Sequence, residues 1–446
     1  MMSKYTLRCF VAAIGLMAFS PTHAQEDVNE LRQALDELRN QYEQRISDLE
    51  NKLDIAIQSK AVATTSMTVE SQGGRSVRGN EFNPSIGIIL NGQFKEFSQR
   101  TAPELTGFAI GEEGERGTGG LGLDHTEINF SASIDDKFYG SLTYALVEEG
   151  GAIVTEVEEA YVQTLPGAGA PAQFKFGKAL WTLGYLNEQH AHTDDFADRP
   201  LPYRVYLNGG YNDDGIQISK ILPTEIYNEV GLGLFRGSDF PFGTPDGQGI
   251  GASSLFYRIG GDVGTNGTWR FGAYQVDGET GGRVTEEGTV TFIGDTKLTA
   301  YDIRYTFAPT GNERSQEVTL TAEHFTRSEN GTYGATGDEA FATSAYDAET
   351  KGWYVAATYK WMPQARVGVR YSEMSNVDLT GALDGTAVDG AGFKPTQLNL
   401  MFDWTNSEYS RIRLQLGSEE LSAGNEDDQV ILQYLMSFGA HGAHKY

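Results

Sequence analysis

Gln429-Val430-Ile431-Leu432-Gln433-Tyr434-Leu435-Met436-Ser437-Phe438-Gly439-Ala440-His441-Gly442-Ala443-His444-Lys445-Tyr446 alternates almost strictly and stops on an aromatic residue. Val430, Leu432, Tyr434, Met436, Phe438, Ala440, Gly442, His444 and Tyr446 share one side. Ile431, Gln433, Leu435, Ser437, Gly439, His441 and Lys445 share the other, which is more polar. A period of two is that of a β-strand with unlike faces. The first side suits lipid and the second a mixed or polar interior.

The other end of the chain agrees with a secreted barrel. Lys4 and Arg8 form a positive n-region, Phe10 to Phe19 is a short apolar run, and Ser20 to Ala24 is small or polar. This reads as a signal peptide over 1–24, too short to span a bilayer. Cys9 falls inside it, so the mature chain is expected to carry no thiol chemistry. No other apolar run approaches the roughly 18 residues of a transmembrane helix.

Composition points the same way. There are 54 Gly and 50 aromatic residues, yet only 39% of the chain is apolar. A soluble domain of 446 residues would want more apolar residues for a closed core. A barrel needs them only on alternate positions, because its interior is polar. The formal net charge is −27, or −29 without Lys4 and Arg8, which argues against a nucleic-acid partner.

Residues 25–58 read as a periplasmic coiled coil. Val28, Leu31, Leu35, Leu38 and Tyr42 keep 3-4 spacing, and Ile46, Leu49, Leu53 and Ala56 resume it after a step of four. An apolar seam of about five heptads needs a partner, so self-association is expected. The Ser-, Thr-, Gly- and Asn-rich stretch 59–83 reads as a flexible linker.

From 84 to 446 the alternation marks about 16 strands: an all-β, transmembrane antiparallel barrel preceded by the coiled-coil helix. Tight turns are expected at Asp135–Lys137, Met362–Gln364 and Asn406–Tyr409. Long connections are expected at 99–118, 187–213, 237–252, 328–351, 375–393 and 418–428. Residues 278–300 leave room for one more hairpin. Short turns on one side and long loops on the other are the asymmetry of an outer-membrane barrel. A TonB-dependent receptor needs about 22 strands plus a plug, for which this chain has no room.

Charge within the strands marks the lumen, since a charge facing lipid is costly. Lys175, Arg258, Arg304, Lys360, Arg366, Arg370, Arg411 and Arg413 should line the pore, with Glu127, Asp302, Glu323 and Asp403 on the same side. The bases outnumber these acids, which predicts a preference for anions. The alternatives are cross-strand pairing, or cation preference set by the acidic loops. The 187–213 loop is expected to fold inward as a constriction, with Asp198, Arg199 and Arg204 lining the passage. A metal site of Zn²⁺ type could draw on His190, His192, Asp194 and His441; otherwise no cofactor is indicated. No nucleophile–base set points to catalysis: Ser141 and Ser219 are ordinary strand positions, and Asp124-His125 is too little.

The mature chain resembles bacterial outer-membrane porins, most closely the phosphate-selective type. The distinctive stretches are Gly184-Tyr185-Leu186-Asn187-Glu188-Gln189-His190-Ala191-His192, continuing to Asp198-Arg199-Pro200-Leu201, and the end Gly439 to Tyr446. Both are also similar to a group of little-characterised outer-membrane proteins, some of them labelled as zinc-linked receptors. The resemblance implies a homotrimer of 16-stranded barrels in outer-membrane lipid, an N-terminal coiled coil in the periplasm, and basic residues in the pore. The implied function is passive diffusion of small polar, even anionic, solutes. The alternatives are uptake of metal ions such as zinc, or a barrel that anchors the cell wall through its coiled coil.

Overall fold

The computed structural model describes residues 84–149, 152–165, 169–243, 249–285, 290–335 and 344–439. The signal peptide, coiled coil and linker lie outside these residues, as do His441 and His444. Among the described residues no helix is long and apolar enough to cross a membrane, which says nothing about strands.

The strands are β1 (Ser85–Phe97), β2 (Gly120–Leu123), β3 (Thr126–Ser133), β4 (Phe138–Glu149), β5 (Ala152–Thr164), β6 (Gln173–Leu180), β7 (Asn212–Ile221), β8 (Tyr227–Phe235) and β9 (Ala252–Val263). There follow β10 (Gly267–Thr285), β11 (Val290–Phe307), β12 (Glu317–Ala335), β13 (Ser344–Met362), β14 (Ala365–Met374), β15 (Thr396–Ser407), β16 (Ser410–Ser422) and β17 (Asn425–Gly439). Consecutive strands pair antiparallel, and β1 closes the ring on β17 from Gly87↔Gly439 to Phe97↔Gln429. On its other edge β1 pairs with β3 over Ser85–Ile89 and with β2 over Gly92–Lys95. The short β2 and β3 therefore share one stave, and the barrel has sixteen. Every stave thus has a paired neighbour on both sides and none is an open edge strand, as a bilayer requires.

The faces sort as the alternation predicts. In β17, Val430, Leu432, Tyr434, Met436 and Phe438 are exposed on the outside, whereas Gln429, Ile431, Gln433 and Leu435 are buried inside. Leu398, Leu400, Phe402 and Trp404 of β15 face outward in the same way, against inward Gln397, Asn399, Met401 and Asp403. At the end where β1 starts and β17 stops, Phe138, Phe307, Tyr359, Trp404, Tyr409 and Phe438 are exposed as an aromatic girdle. An apolar belt rimmed by such rings is a surface made for lipid.

Three expectations about connections are corrected. The described residues of 278–300 hold no extra hairpin, because 278–285 and 290–300 extend β10 and β11 into strands of 19 and 18 residues. Most of 328–351 is likewise strand, in β12 and β13, with 336–343 outside the described residues. Sequences such as Ser328-Glu329-Asn330-Gly331 carry loop composition, yet they pair residue by residue with Gly294–Lys297. What holds these tall hairpins is an aromatic ladder: Tyr333 lies 4.9 Å from Phe292 and 4.7 Å from Tyr346, centroid to centroid. The connection at 418–428 is also short, since β16 and β17 are separated by Ala423 and Gly424 alone.

Candidate functional site

The 181–211 connection between β6 and β7 does not stand out from the barrel but folds into it. It carries its own core: Trp181, Leu183, Leu201, Tyr203, Val205, Tyr206, Leu207 and Tyr211 are each at most 1% exposed. Its centre is a short helix, α1 (Leu201–Leu207), buried along its whole length. Pro200 caps it and Pro202 occupies its first turn, where a missing N–H costs nothing. Asn208 ends it at φ 50°, and the Gly209 N–H then returns to the Tyr203 carbonyl at 3.1 Å. The chain returns to the wall at Asn187, whose amide donates to the Trp181 and Tyr211 carbonyls at 2.7 and 3.0 Å.

Charges bind the loop to the wall. Asp198 accepts from Arg370 of β14 at 2.8 Å, from Gln397 of β15 at 2.8 Å and from Gln415 of β16 at 2.6 Å. Burial works against the ionised Asp198, but Arg370 and Gln415 outweigh it and hold its pKa below the ordinary carboxylate range. Asp195 pairs with Arg366 at 2.5 Å, and Arg204 with Glu419 at 2.9 Å. Arg411 and Arg413 donate to the carbonyls of His192 and Asp194. Glu188 pairs with Arg258 of β9. Glu323 of β12 accepts from the Tyr185 N–H at 2.8 Å and from the Tyr203 hydroxyl at 3.1 Å.

All eight inward-predicted bases thus lie on the lumen side or at its rim, but their partners differ from those of an open anion path. Lys175 sits 3.6 Å from Glu159 and 4.1 Å from the Tyr161 ring. Arg304 lies over the Tyr185 ring at 4.5 Å. Lys360 donates to the Glu313 carbonyl at the end that carries the girdle. Arg366 and Arg413 both also pair with Asp403. The arginine-rich wall of β9, β14 and β16 is the surface against which the loop docks.

The open space lies on the opposite side. A cavity of about 780 Å³ is bounded by β1, β4, β5, β17 and the loop. None of the eight bases lines it, whereas Asp198, Arg199 and Arg204 all do. Around it the wall and the 111–125 segment contribute Glu112, Glu113, Glu115, Asp124, Glu156 and Glu158 against Lys95 and Arg116. The loop adds Asp194 and Asp198 against Arg199 and Arg204, which balance. Lys95 is itself paired with Asp124 at 2.9 Å, and Arg116 with Asp427. The lining is therefore acidic on balance.

Beside this cavity the loop presents His190 and His192 to the wall. The His192 Nδ1 lies 2.6 Å from Glu127 Oε1, and the His190 Nδ1 lies 3.1 Å from Glu127 Oε2 and 3.0 Å from Glu158 Oε2. The His190 Nε2 lies 3.1 Å from Glu159 Oε2. Glu158 and Glu159 are consecutive, so on a regular strand one would face lipid. A bulge resolves this: Thr143 pairs with Glu159 and Tyr144 with Val157, leaving Glu158 as the extra residue and turning both carboxylates inward. The alternation break at Glu158-Glu159 is the sequence signal that marks these two carboxylates. Asp194 does not join the histidines. It pairs with Arg199 at 2.5 Å, and burial pushes its carboxyl up to about 6 despite that guanidinium. His441 lies outside the described residues.

No family model matches the sequence. A protein of Aquifex aeolicus (strain VF5), described only as uncharacterized, is 27% identical over 399 residues, which is 82% of this chain and 80% of that protein. Among solved structures, the anion-selective porin of Comamonas acidovorans aligns over 80% of this chain and 99% of its own, at 11% identity and a TM-score of 0.49. The outer membrane channel DcaP of Acinetobacter baumannii aligns over 80% and 97%, at 12% identity and 0.49. The trimer form of OmpT of Vibrio cholerae aligns over 80% and 99%, at 12% identity and 0.48. On its own geometry, with sixteen closed staves, an apolar outer belt, a polar interior and the 181–211 connection folded inward, this chain is a closed antiparallel β-barrel with the faces of a transmembrane one.

Proposed function

We propose that the protein is a passive channel of the bacterial outer membrane for small polar solutes, and that neutral and cationic solutes pass more readily than anions. The observation that carries this reading is the division of the lumen. The arginines that would attract anions are engaged by the inward loop, and the cavity left beside it is lined by six carboxylates and two bases from wall and adjoining segment. Fixed carboxylates in a narrow, low-dielectric passage raise the local concentration of cations. The preference for anions expected from the strand sequences is replaced accordingly. The start of β1, the end of β17 and the girdle share one end of the barrel, which fits a periplasmic side, and the proposal includes association into a homotrimer.

The test is the reversal potential of the purified protein in a planar bilayer under a KCl gradient. Stable conductance with a potassium preference is the expected result. Chloride preference would return control to the arginine wall. Absence of conductance would sink the channel reading itself.

A further inference from the structure

Beyond the channel, we infer that Glu127, Glu158, His190 and His192 form a binding site for one divalent transition-metal ion of the Zn²⁺ type, joining the inward loop to the barrel wall. One ligand atom each from Glu127, His190 and His192 falls within 4.8 Å of the others, and Glu158 adds a fourth beside His190. Carboxylate oxygen and imidazole nitrogen are the donors such ions take. The two imidazole centroids are 5.6 Å apart. With metal–nitrogen distances of about 2.0 Å, two rings on one tetrahedral ion would have centroids roughly 5.3 Å apart. The rings already stand nearly where a shared ion would hold them.

Charge gives the second argument. Several other acids of the lumen pair with guanidinium groups: Asp198 with Arg370, Glu419 with Arg204, Asp403 with Arg413. Among the described residues, Glu127 and Glu158 have ion pairs only with histidine, and Lys175 reaches only Glu159. Glu127 is 2% exposed. Buried charges are paired or coordinate metals. Three carboxylates against one lysine leave two negative charges. A dication offsets both. The bulge at Glu158 is the device that supplies the extra carboxylate. Access is direct, because Glu158 and Ala191 line the cavity.

The experiment uses the full-length protein in detergent, stripped with a chelator and titrated with Zn²⁺ by calorimetry and with Co²⁺ by visible absorption. One saturable equivalent per barrel is expected, with intense d–d bands of a four-coordinate Co²⁺. The double variant His190→Ala/His192→Ala should weaken binding at least 100-fold, whereas His324→Ala, on the outer face of β12, should not change it. X-ray absorption of the Zn²⁺-loaded native protein needs no variant and should find two imidazole nitrogens with oxygen ligands. No saturable equivalent, a spectrum without imidazole, or binding that survives in a folded double variant would overturn the site. A channel that conducts but fails these tests would leave the function above intact.

Discussion

Arg370 of β14 donates to both the backbone carbonyl and the carboxylate of Asp198, at 2.6 and 2.8 Å, and so ties the middle of the inward loop to the far wall. Arg370 is buried, whereas Asp198 is partly exposed and keeps the amides of Gln397 and Gln415 when the guanidinium is gone. The loss is therefore that of one charge-assisted contact, about 1.5–3 kcal/mol. Arg370→Ala should therefore loosen the loop without opening the barrel. Single-channel conductance should rise and become noisier, while migration of the unheated protein on a gel stays that of a folded barrel.

Asp198 also sets a pH window. Its folded pKa lies below the ordinary carboxylate value, so its contribution to stability is complete above about pH 4 and is lost as the pH falls through the folded value. Acidification below pH 4 should undock the loop in the native protein. Asp198→Asn, which cannot titrate, should show a flatter acid limb when melting temperature is followed against pH. Parallel curves for the two proteins would remove Asp198 from this role.

Gly184 tests how tightly the loop is packed. Its φ is +80°, and a Cβ placed there would lie 2.5 Å from both the Glu323 carboxylate and the Tyr203 hydroxyl. Non-glycine residues pay roughly 1–2 kcal/mol for the left-handed region alone, and the clash adds to this. Gly184→Ala should lower the melting temperature and break the Tyr203–Glu323 contact. Tyr203→Phe, which loses only the hydroxyl, should cost less, about 1–3 kcal/mol. The two are compared by thermal denaturation in one detergent. Equal losses would mean that Gly184 is not constrained by this contact.

Much of the wall was legible in the sequence because lipid enforces a period of two. Leu398, Leu400 and Phe402 point outward for the same reason that Gln397, Asn399 and Met401 point inward. The tall hairpins were not legible, because above the belt no lipid selects apolar residues and Ser328-Glu329-Asn330-Gly331 can be strand without alternating. For the site, alternation said that Arg366, Arg370 and Arg413 face inward, but it could not say what they meet. Their partners, Asp195, Asp198 and the Asp194 carbonyl, lie about 170 to 220 residues away in sequence. His190 and His192 were visible as a pair and Glu127 as an inward acid, whereas Glu158 and Glu159 reach one face through a bulge, at which the broken alternation hints and which the register at Thr143 and Tyr144 shows.

The outer belt makes a prediction of its own. Leu400 is half exposed in the middle of β15, between Leu398 and Phe402 on the same face. An arginine there would sit in hydrocarbon and cost about 2–4 kcal/mol at the midplane. Leu400→Arg should fold into vesicles with a correspondingly smaller equilibrium stability in denaturant titrations. An unchanged midpoint would place Leu400 outside the hydrocarbon region.

Selectivity should follow the cavity and not the arginine wall. Glu112, Glu113 and Glu115 occupy one short segment at the cavity, and Glu156 faces it from β5. Glu156→Gln combined with Glu112→Gln removes two of the six carboxylates. The potassium-to-chloride permeability ratio from reversal potentials should drop several-fold. Arg304→Ala, on a base that stacks over Tyr185 away from the cavity, should move the ratio little. A larger response to Arg304→Ala than to the glutamate pair would mean that ions pass along the wall which the loop covers, and that the cavity is not the path.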